Sequence, residues 1–284
     1  LDELSFEVGA GEVYALLGAN GAGKTTAIEI LEGYRTPDRG VATVLGFDPG
    51  REAERLKPRM GVMLQGGGLY PAITPIEALE LFSHFYEHPR SVSDLLALVG
   101  LSEVATIRYR QLSGGQKQRL ALALALLPNP EVVFLDEPSA GLDPRARRDA
   151  WHVISNLSSE GCTVMLTTHN LEEAERLADT VGILQDGRLI AHGSPDQLMR
   201  QDRKTVRLRT SAPANLQLLA SLASAERVTA AEGDIYLIDT SDAPRLLTDL
   251  TQRLQEESVP IVELRVGYGS LEEAFLDITE GEDA

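Results

Sequence analysis

Apolar residues recur along the first two hundred positions in two distinct periods. Uninterrupted short runs at Val13–Leu17, Met60–Leu64, Val132–Leu135 and Thr163–Thr167 read as strands buried on both faces. Segments of helical period lie between them. Lys24–Glu32 runs up to Gly33. Ala78–Tyr86 follows Thr74-Pro75-Ile76-Glu77, a capping box with proline at the first helical position. Ser93 is expected to cap a helix that Gly100 ends, and Asn170 to cap Leu171–Ala178, with Leu171, Ala174, Leu177 and Ala178 on one stripe. Val181–Leu184 and Leu189–Ala191, joined by Asp186-Gly187, read as a hairpin. Buried strands separated by helices imply an α/β layer with a mainly parallel core sheet.

Near residue 203 the pattern changes. Val206–Leu208, Glu226–Val228, Ile235–Ile238 and Ile261–Val266 read as strands, and Ala214–Leu222 and Ala243–Glu256 as helices. This β-α-β-β-α-β order suits a small ferredoxin-like α/β unit. The expected division is therefore residues 1–202 and 203–284, with a helical subdomain at about 70–125 in the first part. Ser270–Asp277 reads as a short amphipathic helix near the end.

Composition narrows the chemistry. The 284 residues carry a net charge of −17, and the part after residue 200 alone holds −8. An acidic surface with only 5% aromatics disfavours nucleic acid as a partner. The longest apolar run, Leu120–Leu127, stops at Pro128 and is far short of a bilayer span. The lone Cys162 offers neither an internal disulfide nor a metal pattern.

Gly18-Ala19-Asn20-Gly21-Ala22-Gly23-Lys24-Thr25 fits G-x-x-x-x-G-K-[ST], with a buried strand before it and a helix after it. The glycines let successive N–H groups turn inward, and the helix start adds its positive end. Lys24 is expected to reach the terminal phosphates and Thr25 to ligate Mg²⁺, with Thr26 completing the phosphate-binding segment. Val132–Leu135 delivers Asp136 and Glu137 to the carboxyl end of a buried strand, where ligands of parallel sheets bind. Asp136 suits the Mg²⁺ shell, and Glu137 suits orientation of an attacking water. Leu112-Ser113-Gly114-Gly115-Gln116, ahead of a helix expected to begin near Lys117, offers a second anion-binding end. Two such ends for one nucleotide make sense if the second serves a nucleotide held by another copy.

With these residues in order, the sequence resembles the nucleotide-binding subunits of ABC transporters. Leu112–Gln116 resembles the family signature, Gln65 the Q-loop glutamine, Ser139–Asp143 the D-loop and His169 the switch histidine. The resemblance covers about residues 1–200 and implies the P-loop ATPase fold with a helical signature subdomain. It implies a head-to-tail dimer closing ATP between Gly18–Thr25 of one copy and Ser113, Gly114, Gly115 and Gln116 of the other. It further implies that Gln65 contacts Mg²⁺ or the attacking water, that His169 bonds the γ-phosphate and that Asp143 links the two sites. The closing helix resembles that of type-2 exporter ATPases of the daunorubicin/doxorubicin-resistance type, which carry an extra C-terminal domain. An exporter motor is thereby implied, on the cytoplasmic face of the membrane, working through a separate multi-span permease and moving drugs or other amphiphilic compounds. Apolar Leu69, Tyr70 and Ile73 are candidates for meeting that permease. The family's adenine-stacking aromatic is expected upstream of Leu1, in a strand that these residues would truncate. Tyr14 is read as core rather than as its substitute, so weaker ATP binding, by about 1–3 kcal/mol, is expected.

Overall fold

The structure is a computed structural model that describes residues 1–63, 68–199, 204–231, 233–268 and 271–280. Two compact units result, Leu1–Pro195 and Asp196–Ala284. In chain order the first runs β1 (Val13–Leu17), α1 (Lys24–Leu31), α2 (Ala53–Leu56), β2 (Met60–Met63), α3 (Pro75–Ser83), α4 (Val92–Leu98), α5 (Gly114–Leu126), β3 (Val132–Asp136), α6 (Pro144–Ser159), β4 (Thr163–Thr168), α7 (Leu171–Leu177), β5 (Thr180–Gln185) and β6 (Arg188–Gly193). The sheet order is β2-β3-β4-β1-β5-β6. Neighbours from β2 to β5 are parallel, and β6 returns antiparallel on β5 through the Asp186-Gly187 turn, whose residues both adopt positive φ.

Every residue of β1, β3 and β4 is buried, which is why those segments lack polar alternation. Tyr14, Leu16, Ile28, Phe134 and Met165 share one core cluster. Tyr14 is core as expected: its ring stacks on Phe6 at 5.0 Å. Gly61 shows how closely α5 lies on β2, because a Cβ there would meet the Ala125 carbonyl oxygen at 2.1 Å.

Three local expectations change. The helix after Arg90 is capped by Ser91, not Ser93. The Ser91 hydroxyl accepts from the Asp94 N–H, while Ser93 sits inside the first turn and bonds Ser91 and Asp94 side chains. The helix after Leu112 begins at Gly114 rather than near Lys117. Ser113 accepts from Gln116 N–H while the Gln116 amide oxygen accepts from Ser113 N–H, so the capping box draws both glycines into the first turn. The segment before β1 forms no strand; Leu4, Phe6 and Val8 pack on the core cluster without a strand partner among the described residues.

After α8 (Pro195–Met199), the second unit runs β7 (Lys204–Thr210), α9 (Leu216–Ala220), β8 (Arg227–Ala231), β9 (Ile235–Thr240), α10 (Ala243–Glu256), β10 (Ile261–Tyr268) and α11 (Leu271–Glu280). Its sheet, β10-β7-β9-β8, is antiparallel throughout, with the β-α-β-β-α-β element order of a ferredoxin-like unit. Val206 and Leu208 sit opposite Ile238 and Tyr236, and this face meets Leu219, Leu246, Leu250 and Leu254 from α9 and α10. The i, i+4 spacing of the α10 leucines makes that stripe.

Candidate functional site

β1, β3 and β4 end side by side, bringing the Gly18 loop, Asp136 with Glu137, and His169 to the same end of the sheet. The turn after β1 begins at Gly18, where a Cβ would lie 2.4 Å from the Leu184 carbonyl oxygen; no side chain fits. Gly21 and Gly23 take φ of 86° and 109°, which curls the loop into the start of α1. The Lys24 ammonium is buried and spans the loop, donating to the carbonyls of Gly18 at 2.7 Å and Ala19 at 3.1 Å. Thr25, in the first turn of α1, is exposed and Thr26 beside it is half-buried. This is a cradle of backbone donors with one buried cation, suited to a polyphosphate.

Asp136 ends β3 and is buried, accepting a short hydrogen bond from the Thr167 hydroxyl of β4. Glu137 follows at φ 50°, a left-handed conformation that costs about 1–3 kcal/mol in a non-glycine residue unless its surroundings hold it. Three groups hold it here. Its N–H donates to the Thr167 carbonyl at 3.1 Å and to the Thr167 hydroxyl at 3.2 Å. Its carbonyl accepts from the Gln118 amide of α5 at 2.9 Å. Its carboxylate lies 2.9 Å from His169 Nδ1, just past β4. Glu137 and His169 thus form one hydrogen-bonded pair, the acid largely buried and the imidazole exposed.

Ser113, Gly114, Gly115 and Gln116 form the cap and first turn of α5. A Cβ on Gly115 would meet Leu142 at 3.2 Å, so this turn lies against the segment that leads into α6. Asp143 caps α6, accepting from the N–H groups of Arg145 and Ala146 at 2.9 and 3.0 Å. Those two backbone bonds, that of Ala146 first, hold its carboxyl below the usual range. Gln65 lies outside the described residues.

Comparison with known proteins decides what this arrangement belongs to. Residues 1–140 match the family model described as ABC transporter. The chain is 36% identical to the Nod factor export ATP-binding protein I of Ralstonia nicotianae, over 98% of this chain and 88% of that protein. It is 36% identical to the daunorubicin resistance ATP-binding protein DrrA3 of Streptomyces coeruleorubidus, over 100% and 92%. The chain belongs to the ABC transporter family. It is an ATP-binding subunit of that family, and an ATPase. A solved ATP-binding subunit of an ABC transporter superposes with a TM-score of 0.63 at 32% identity, covering 69% of this chain and 84% of that one. A dimeric post-hydrolysis ATP-binding cassette bound to ADP and Pi superposes at 0.61 with 26% identity, covering 66% and 88%.

In this ABC ATPase several participants carry no sequence motif of their own. Thr167 and Gln118 position Asp136 and Glu137, yet each reads in sequence as an ordinary strand or helix residue. The signal for Thr167 was a polar residue inside a fully buried strand, which must have a partner. Glu32, at the end of α1, is buried; desolvation first, then the charges of Asp136 and Glu29, push its carboxyl up to about 8. Glu173 of α7 is fully buried and accepts from the indole N–H of Trp151 in α6 at 2.8 Å, while its other oxygen has no hydrogen-bond partner. This bond joins the helix capped by Asp143 to the helix that follows His169.

Proposed function

We propose that this chain is the ATP-hydrolysing motor of an exporter, driving a separate membrane permease by ATP-dependent closure of a head-to-tail dimer. The observation that carries the reading is Glu137, held in a left-handed conformation from three sides with its carboxylate on His169. In this reading ATP lies with its phosphates on Gly18, Ala19, Asn20, Gly21, Ala22, Gly23, Lys24, Thr25 and Thr26. Ser113, Gly114, Gly115 and Gln116 of the second copy close on the γ-phosphate, and Asp143 meets the opposite site. Glu137 accepts a hydrogen bond from the attacking water, and His169 bonds the γ-phosphate. The water oxygen bonds phosphorus as the bond to the β,γ-bridging oxygen breaks, giving ADP and inorganic phosphate.

The donor set suits Mg²⁺: one hydroxyl, Thr25, and one buried carboxylate, Asp136, leave most positions to phosphate oxygens and water, as that ion prefers. Gln65 is proposed as a further ligand. When bound, Mg²⁺ supplies neutralisation of developing phosphate charge. No group of three or more acidic, histidine or cysteine residues among the described residues forms an all-protein metal cage.

No helix of the described residues is long and apolar enough to cross a membrane. From the export named for its relatives, the cargo path is assigned to a partner permease and this chain to its cytoplasmic face. Tyr70, Leu81, Phe82 and Phe85 are exposed apolar residues on and beside α3, and they support that helical region as the permease contact. Names of the relatives point to amphiphilic cargo, daunorubicin or Nod factor in their cases. The second unit is proposed as an accessory domain. In a Glu137→Gln variant, ATP should bind without turnover and hold closed the nucleotide sandwich that wild type closes only transiently. Absence of any ATP-dependent increase in association of that variant over its nucleotide-free state, measured by light scattering, rejects the closure reading.

A further inference from the structure

β10 is an edge strand of the second sheet and, among the described residues, pairs only with β7. The direction of its remaining backbone groups follows from one bond. Thr210 donates its N–H to the Asp234 carbonyl, so Thr210 faces β9. Antiparallel alternation then turns the groups of Arg209, Arg207 and Thr205 toward β10. Their partners Glu263, Arg265 and Gly267 bond inward, which leaves the N–H and C=O of Leu264 and Val266 directed at the open edge. Ile261, Val262 and Val266 are 36%, 52% and 44% exposed. Residues 261–268 contain neither proline nor lysine, the usual guards of such an edge. The irregularity between Ile261 and Glu263 bends only the beginning of the strand.

We propose that β10 pairs antiparallel with β10 of a second copy of this chain, about a two-fold axis through Leu264. A two-fold contact is isologous, so the strand must complement itself. With Leu264 on the axis, Glu263 faces Arg265 of the second copy and Arg265 faces its Glu263, while Val262 faces Val266. The two neighbouring registers that keep outward backbone groups opposite one another move the axis to Glu263 or to Arg265. Each then sets two like charges directly opposite, which is destabilising. Of the registers that use the middle of the strand, the one about Leu264 therefore satisfies both backbone and charge. It also explains the exposed valines. Leu264 packs on the core of its own unit, and Val266, opposite Val206, alternates onto that same face at its uncovered margin. Pairing continues the sheet into a second copy and covers that margin from both sides.

The contact uses no residue assigned to nucleotide, so it forms without ATP and its failure leaves the motor reading intact. The test is sedimentation equilibrium of the full chain without nucleotide, across a concentration series. Wild type should show a reversible dimer. Val266→Pro removes an outward N–H while sparing the bonds to β7, and should give a folded monomer with an unchanged circular dichroism spectrum. Arg265→Glu sets glutamate against glutamate twice by symmetry and should weaken the dimer by about tenfold, with part of the loss recovered at high salt. A wild-type chain that stays monomeric overturns the proposal. So does a dimer that both variants leave unchanged.

Discussion

Replacing Trp151 by phenylalanine tests whether the buried Trp151–Glu173 bond ties α6 to α7. Among the described residues the indole N–H is the sole partner of a carboxyl with no solvent exposure, whose second oxygen lacks one. Phenylalanine keeps a ring in place but removes the donor. Leaving a buried acceptor unpaired costs about 1–3 kcal/mol, and shrinking the buried ring adds about 1 kcal/mol. A loss of about 2–4 kcal/mol from a unit of this size lowers its melting temperature by roughly 5–15 °C. The control is Glu173→Leu, which removes the acceptor as well. In that background Trp151→Phe should cost only the packing contribution, so the double-mutant cycle should return a coupling of about 1–3 kcal/mol. Calorimetry on the four chains measures it. Trp151 is the single tryptophan of the sequence, so its emission in the Glu173→Leu chain independently reports whether the ring remains buried. Equal losses in the two backgrounds would refute the tie and leave Trp151 as mere filling.

Three further outcomes follow from the site. Gly18→Ala drives a methyl to 2.4 Å from the Leu184 carbonyl oxygen and should destabilise the first unit by about 1–3 kcal/mol, read by urea unfolding. Gln118→Ala releases the Glu137 carbonyl and should lower the hydrolysis rate about tenfold with nucleotide affinity unchanged; equal loss in both quantities would contradict a positioning role. Glu32 has a pH signature of definite sign. Its folded value of about 8 lies above its ordinary 4.5, so the unfolded chain loses the proton first and native stability falls as pH rises between those values. Without nucleotide or Mg²⁺, Glu32→Gln should therefore gain melting temperature over wild type progressively from pH 4.5 to 8, and the gap should level above that; a pH-independent gap would reject the assignment.

The parts of this fold legible in the sequence are those whose cause is local. Val13–Leu17 and Val132–Leu135 announced buried strands because helices cover both faces of that sheet, and Asn170 announced α7 because its side chain caps the Glu173 N–H. The phosphate cradle was legible for the same reason, since glycine, lysine and threonine at fixed spacing act within one turn. Ser93 misled because two serines flank the helix start, and only geometry shows which hydroxyl meets the third N–H of the helix. The glycines after Ser113 suggested a later helix start, whereas the reciprocal bonds with Gln116 offset their poor propensity. Gln118, Thr167 and the Trp151–Glu173 bond were silent because their partners lie between 19 and 31 positions away along the chain.

That distribution bears on how hydrolysis is coupled to closure. α5 carries Ser113 at its cap and Gln118 little more than one turn later, a separation of about 7.5 Å along one rigid helix. Its capped end is assigned to a nucleotide in the second copy, and its Gln118 amide holds the carbonyl of Glu137 in this copy. The same turn rests against Leu142, next to the Asp143 cap of α6, and α6 is joined through Trp151 to the helix that follows His169. Glu137 is therefore reached from the seam by two routes, through its backbone from α5 and through His169 from α6 and α7. A strained backbone conformation held by several partners is sensitive to any one of them moving. In the proposed closure, engagement of the Ser113 turn and alignment of the carboxylate become one event, and a site that binds ATP alone would differ from a closed one in the placement of Glu137 rather than in its chemistry.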